Sequence, residues 1–145
     1  MISLSFAFGE KPFFYVENSK EFVFASEMKA IFASGISKET DLDRIVDYLQ
    51  YNLVVDSEDV GSTFYRGVKS LEPSSCMKVY GDGKIKKTKY WSLNNIPYND
   101  ISFEDAKDRF RSLFSQSIER RLRSDVTVGS SLSGGLDSSS IVRMI

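Results

Sequence analysis

The feature that most restricts the fold of this chain is a break in its apolar rhythm. Ser92-Leu93-Asn94-Asn95-Ile96-Pro97-Tyr98-Asn99-Asp100 is polar, contains a proline, and parts a strand-rich segment from a helical one, the composition of a domain linker. A chain of 145 residues with 41% hydrophobic content and 3 prolines can build one compact core or parts of two smaller ones. The break selects two, with a first domain over 1–91, a linker over 92–101 and a second domain over 102–145.

The first domain reads as hairpins and short helices. Met1 to Phe8 is apolar, short, and runs into Gly9-Glu10-Lys11-Pro12 without a basic leader or a small-residue cleavage site, so it is expected to be a strand and not a signal peptide. Phe13 to Val16 and Glu21 to Ala25 are aromatic and β-branched runs joined by Glu17-Asn18-Ser19-Lys20, a polar turn that closes a hairpin. Ser26 is an N-cap candidate for a helix over Glu27 to Ala33 that stops at Ser34-Gly35. Thr40-Asp41-Leu42-Asp43 resembles a capping box with Asp in the Glu/Gln place, and Leu42, Ile45, Val46 and Leu49 follow at helical spacing, predicting one buried stripe. Asn52 to Pro73 is irregular, punctuated by Gly61 and Gly67, and a second hairpin, Cys76 to Tyr80 with Lys84 to Tyr90, turns at Gly81-Asp82-Gly83.

The second domain opens with Ser102 capping a long helix whose apolar residues Phe103, Ala106, Phe110, Leu113, Phe114, Ile118 and Leu122 recur at three- and four-residue steps, the pattern of a core-packing helix. Arg120, Arg121 and Arg123 near its end complement the helix dipole or, alternatively, contact a phosphate. Asp125 to Leu132 then reads as a strand, and Ser133-Gly134-Gly135-Leu136-Asp137-Ser138-Ser139-Ser140 leads into a helix. Two glycines let the backbone approach a ligand, and hydroxyls with free N–H groups at a helix start favour bound phosphate. The bland alternative is a serine-glycine turn with no ligand. A Walker-type loop would end in Gly-Lys-Ser/Thr, a triplet this sequence lacks. Hydroxyls and amides without a lysine suit the pyrophosphate portion of ATP, with Asp137 available to help hold a magnesium ion.

Inventory removes other chemistries. With no histidine and 1 cysteine, a His-based triad, a His-ligated metal and an intramolecular disulfide are excluded. Cys76 reads as a small core hydrophobe. A net charge of −1 with dispersed Lys and Arg gives no surface for nucleic acid or an anionic membrane. No segment approaches membrane length, and a cytoplasmic location is expected.

Ser133-Gly134-Gly135-Leu136-Asp137-Ser138 is similar to the pyrophosphate loop of the ATP pyrophosphatase superfamily, and Ser124-Asp125-Val126 ahead of Leu132 resembles the form found in asparagine synthetases. Gly9-Glu10-Lys11-Pro12-Phe13-Phe14-Tyr15 and Phe24-Ala25-Ser26-Glu27-Met28-Lys29-Ala30 resemble segments of that family's glutaminase domain. Gly67 to Pro73 and Tyr90-Trp91 fit the end of the same domain, so the likeness runs in order along nearly the whole chain.

The resemblance implies an α+β remnant of an N-terminal-nucleophile glutaminase domain, followed by the start of an α/β ATP-pyrophosphatase domain. It implies an enzyme that hydrolyses glutamine, passes ammonia through a tunnel, and activates aspartate as its β-aspartyl adenylate. Its small-molecule partners would be ATP, magnesium, aspartate, and glutamine or ammonia, and full-length members are expected as homodimers. Leu132 would lie near the nucleotide, Ser133, Gly134, Gly135, Leu136, Asp137, Ser138 and Ser139 would hold the pyrophosphate, and Asp137 would sit near magnesium. The chain departs from the family where the nucleophilic cysteine is expected, since Ile2 follows Met1, and Ser5 and Phe6 stand where an Arg-Asp pair is expected. No catalytic residue is therefore assigned, and the chain by itself is expected to be inactive. A β-lactam synthetase-like or glycan-modifying amidotransferase, and a non-catalytic truncated product, are the alternatives. The strand over Asp125 to Leu132 is expected to be loosely held, for want of neighbours to pair with.

Overall fold

The structure, a computed structural model, describes residues 2–4, 8–93 and 100–145, which form two units on either side of residues 94–99. The middle of the expected linker, and Ser5 and Phe6, lie outside the described residues. The opening strand is present as β1 (Ile2–Leu4). In the first hairpin, Asn18 Oδ1 accepts from the amides of Lys20 (2.9 Å) and Glu21 (3.0 Å). This side-chain turn sets β2 (Phe14–Glu17) antiparallel to β3 (Phe22–Ala25), with Tyr15 opposite Phe24.

Two helices follow. The first, α1 (Met28–Ala33), starts a residue later than expected: Glu27 is the N-cap, with no side-chain cap bond. Ser26 therefore stands too early for its hydroxyl to reach the first helical amides. Gly35, at φ +98°, takes the left-handed turn that ends the helix. The second, α2 (Leu42–Tyr51), is capped by Asp41, whose Oδ1 accepts from the Arg44 amide at 3.4 Å. Thr40, the expected cap, instead bridges to Tyr65.

Beyond α2 the chain returns through β4 (Lys69–Ser70) to a second hairpin, β5 (Ser75–Val79) and β6 (Ile85–Lys89). The strands make two antiparallel three-stranded sheets, ordered β1-β5-β6 and β3-β2-β4. Alternation along β2 gives each neighbouring residue a different core. Tyr15 packs with Leu71 and Met77, and with Phe13, Phe22, Val79 and Ile85 around them, between the sheets. Val16 packs with Ile31 and Val68 on the side covered by α1. Gly61 is fixed by close approach: a Cβ there would stand 3.0 Å from the Ser70 carbonyl oxygen, whose own amide donates to the Gly61 carbonyl at 2.8 Å. Cys76 is a free, half-buried thiol on β5.

The expected buried stripe of α2 is a correction. Leu42, Val46 and Leu49 are 64%, 55% and 77% exposed, and the buried residue of this helix is Arg44, 5% exposed. The helix is turned by its polar side: Arg44 donates to Asp47 Oδ2 (3.0 Å) and to the carbonyls of Leu53 (3.5 Å) and Val54 (3.2 Å). Anchoring the guanidinium to the segment after the helix leaves the apolar stripe on the opposite side.

In the second unit, α3 (Phe103–Arg121) starts at Ser102 as expected, with Ser102 Oγ accepting from the Asp105 amide at 3.1 Å. Glu104 and Asp105 in its first turn and Arg120 and Arg121 in its last oppose the partial charges of the helix ends. Of the apolar series, Ile118 is buried, whereas Phe103, Phe110 and Leu113 are exposed, a second departure from the expected packing. The strand expected over Asp125 to Leu132 is absent; the segment makes no ladder among the described residues. An isolated β segment leaves its amides and carbonyls to water, so nothing holds it in strand form. A helix, α4 (Leu136–Met144), closes the chain. The fold of the described residues is thus a small α+β arrangement, with no parallel sheet among them.

Candidate functional site

The glycine-serine turn that leads into α4 is organised around two hydroxyls. Ser138 Oγ accepts from the Ser133 amide (3.3 Å), lies 2.8 Å from Ser133 Oγ, and stands 3.2 Å from the Gly135 carbonyl oxygen to which it can donate. The Gly135 amide points back at Ser133 Oγ, at 3.4 Å. These contacts curl residues 133–138 into a closed turn. Gly134 makes the turn sterically allowed, because its φ of +82° is a conformation that side-chain-bearing residues adopt at a cost of about 1–2 kcal/mol.

The turn delivers a bare helix start. Gly135 is the N-cap, in extended conformation and without a side chain to cap anything. The first helical bond closes from the Ser139 amide to the Gly135 carbonyl at 3.0 Å, so the amides of Leu136, Asp137 and Ser138 have no helical acceptor. Such a cluster of outward N–H groups carries the positive end of the helix dipole and favours an anion. Ser140 takes no part, since its hydroxyl bonds to the Leu136 carbonyl at 2.7 Å within the helix.

Apart from Ser138, which is half-buried, the expected site residues from Leu132 to Ser139 are exposed. Leu132 and Leu136 are therefore apolar surface beside the turn. Asp137 is the one acidic residue in the first turn of α4, and no cluster of three or more His, Cys, Asp or Glu suited to a metal occurs among the described residues. A lone carboxylate beside such a turn has the chemistry that magnesium uses, because that ion binds through one or two carboxylates together with phosphate oxygens and water. Arg120 and Arg121 occupy the last turn of α3, where they serve its dipole.

Sequence reading missed Arg44. Besides Asp47, its Nη1 lies 3.8 Å from Asp56 Oδ2, and its guanidinium stands over the Phe64 ring, 5.9 Å from the centroid. Backbone amides of Glu58 and then Asp59 hold the Asp56 carboxyl below its ordinary value of 3.8; burial opposes them slightly, and Arg44 adds to the lowering. The available signal was a cation within an apolar helix pattern, followed by Asp three residues on and by Asp56 beyond the helix. An open cleft of about 430 Å³ elsewhere in the first unit is lined by Phe8, Glu72, Lys89 and Trp91 among others. The Phe8 and Trp91 rings meet there edge to face, 5.3 Å apart. No helix among the described residues is long and apolar enough to cross a membrane.

Two family matches follow one another along the sequence. Residues 6–91 match the glutamine amidotransferase domain family, and residues 109–145 match the asparagine synthase family. The chain is 36% identical over 136 residues to glutamine-hydrolysing asparagine synthetase 3 of Bacillus subtilis, covering 92% of this chain and 21% of that protein. It is 33% identical over 138 residues to a putative glutamine-hydrolysing asparagine synthetase 2 of Methanocaldococcus jannaschii, covering 92% of this chain and 26% of that one. A third relative, amidase chry2 of Gibberella zeae, is 28% identical over 141 residues, covering 95% of this chain and 20% of that one. The chain thus spans about a fifth to a quarter of the length of the curated relatives it matches. It belongs to the glutamine amidotransferase domain family and is a relative of the glutamine-hydrolysing asparagine synthetases, continuing from that domain into the start of an asparagine synthase domain.

Proposed function

We propose that the protein carrying these residues is an ATP- and glutamine-dependent asparagine synthetase, with residues 1–91 in its glutaminase domain, 92–101 as the joint, and 102–145 opening its ATP-binding domain. A carboxylate is a poor acyl donor, so the β-carboxylate of aspartate attacks the α-phosphorus of ATP and the bond to the bridging oxygen breaks, releasing pyrophosphate. Ammonia taken from glutamine then attacks the activated carbonyl, and AMP leaves with the former carboxylate oxygen.

The observation that supports this reading is the turn at Ser133 to Ser139, which leaves the amides of Leu136, Asp137 and Ser138 without a helical acceptor at the head of α4, inside the stretch that matches asparagine synthase. Those amides, with the hydroxyls of Ser133 and Ser139, would grip the pyrophosphate. Fixed dipoles aimed where charge develops on departure lower the barrier without having to reorganise. The exposed side chain of Leu132 would pack near the adenine nucleotide. Asp137 would hold magnesium, which supplies counter-charge to the phosphates.

The test is aspartate-dependent exchange of labelled pyrophosphate into ATP by the natural gene product. Exchange that requires aspartate, with AMP as the nucleotide product, is the expected result. Release of ADP and orthophosphate would rule out adenylation, and exchange driven by a different carboxylic acid would reassign the acyl substrate.

A further inference from the structure

We draw no further inference here: the strongest candidate, the exposed apolar face that Leu42, Val46 and Leu49 form on α2, carries nothing because nothing in the structure shows what covers it.

Discussion

A single buried cation decides how α2 lies. Arg44 joins the helix to the segment after it through two carbonyls and the Asp56 carboxylate, and pairs with Asp47 within the helix. Replacing it by Met removes these bonds and leaves the Leu53 and Val54 carbonyls to find other donors, at a cost of about 2 kcal/mol. Urea unfolding of Arg44→Met should show that loss; a midpoint unchanged from the parent would mean that the anchor is dispensable. Asp56 gives the same region an acid limit. Its folded-state carboxyl is held below 3.8 by the Glu58 and Asp59 amides first, and by Arg44 as well. A depressed folded pKa contributes stability above the unfolded value and loses it as the pH falls through the folded one. Asp56→Asn should therefore have a lower Tm at neutral pH and a flatter decline in Tm below about pH 4. Curves that stay parallel through the acid range would contradict this. Arg44 was hard to read in sequence because helical periodicity reports which residues are apolar, whereas a buried Arg bonded through its two Nη groups presents itself as polar and is assigned to solvent. The turn at 133–138 was legible as a turn, because Gly134 at φ +82° answers a local steric need that distant contacts do not change.

Two elements closed by local side-chain bonds were readable in the sequence, whereas the strand expected over Asp125 to Leu132 was misread. The hairpin at Asn18 and the helix start at Ser102 rest on side-chain bonds spanning two or three residues, so their sequence signals sufficed. The expected strand over Asp125 to Leu132 has the right residues, but a strand is completed by its neighbours. Hydrogen exchange should separate the two classes. Amides from Thr127 to Ser131 should exchange without protection, while those bonded in β2 and β5, the central strands of their sheets, should be among the slowest. Strong protection at Thr127 to Ser131 would reveal a ladder and restore the strand. The stripes of α2 and α3 make the same point: periodicity identified Leu42, Val46, Leu49, Phe110 and Leu113 as one-sided, yet their exposure depends on what lies opposite.

For the molecule as a whole, two family matches in sequence order join a region related to glutamine amidotransferases with the beginning of one related to asparagine synthases. The first supplies packed sheets with two small cores; the second supplies a helix start without a side-chain cap after a left-handed glycine. If that helix start holds pyrophosphate, binding must depend on the backbone shape of the turn and not merely on net charge. The most direct measurement is a calorimetric titration of the chain with magnesium pyrophosphate, repeated on Gly134→Val. A side chain at φ +82° forces the turn to rearrange at a cost of about 1–2 kcal/mol, which is about a tenfold loss of affinity. Saturable binding by the parent chain, weakened about tenfold in Gly134→Val, is the expected result. Equal affinity in both chains, or no saturable binding in the parent, would contradict a pyrophosphate loop at Ser133 to Ser139.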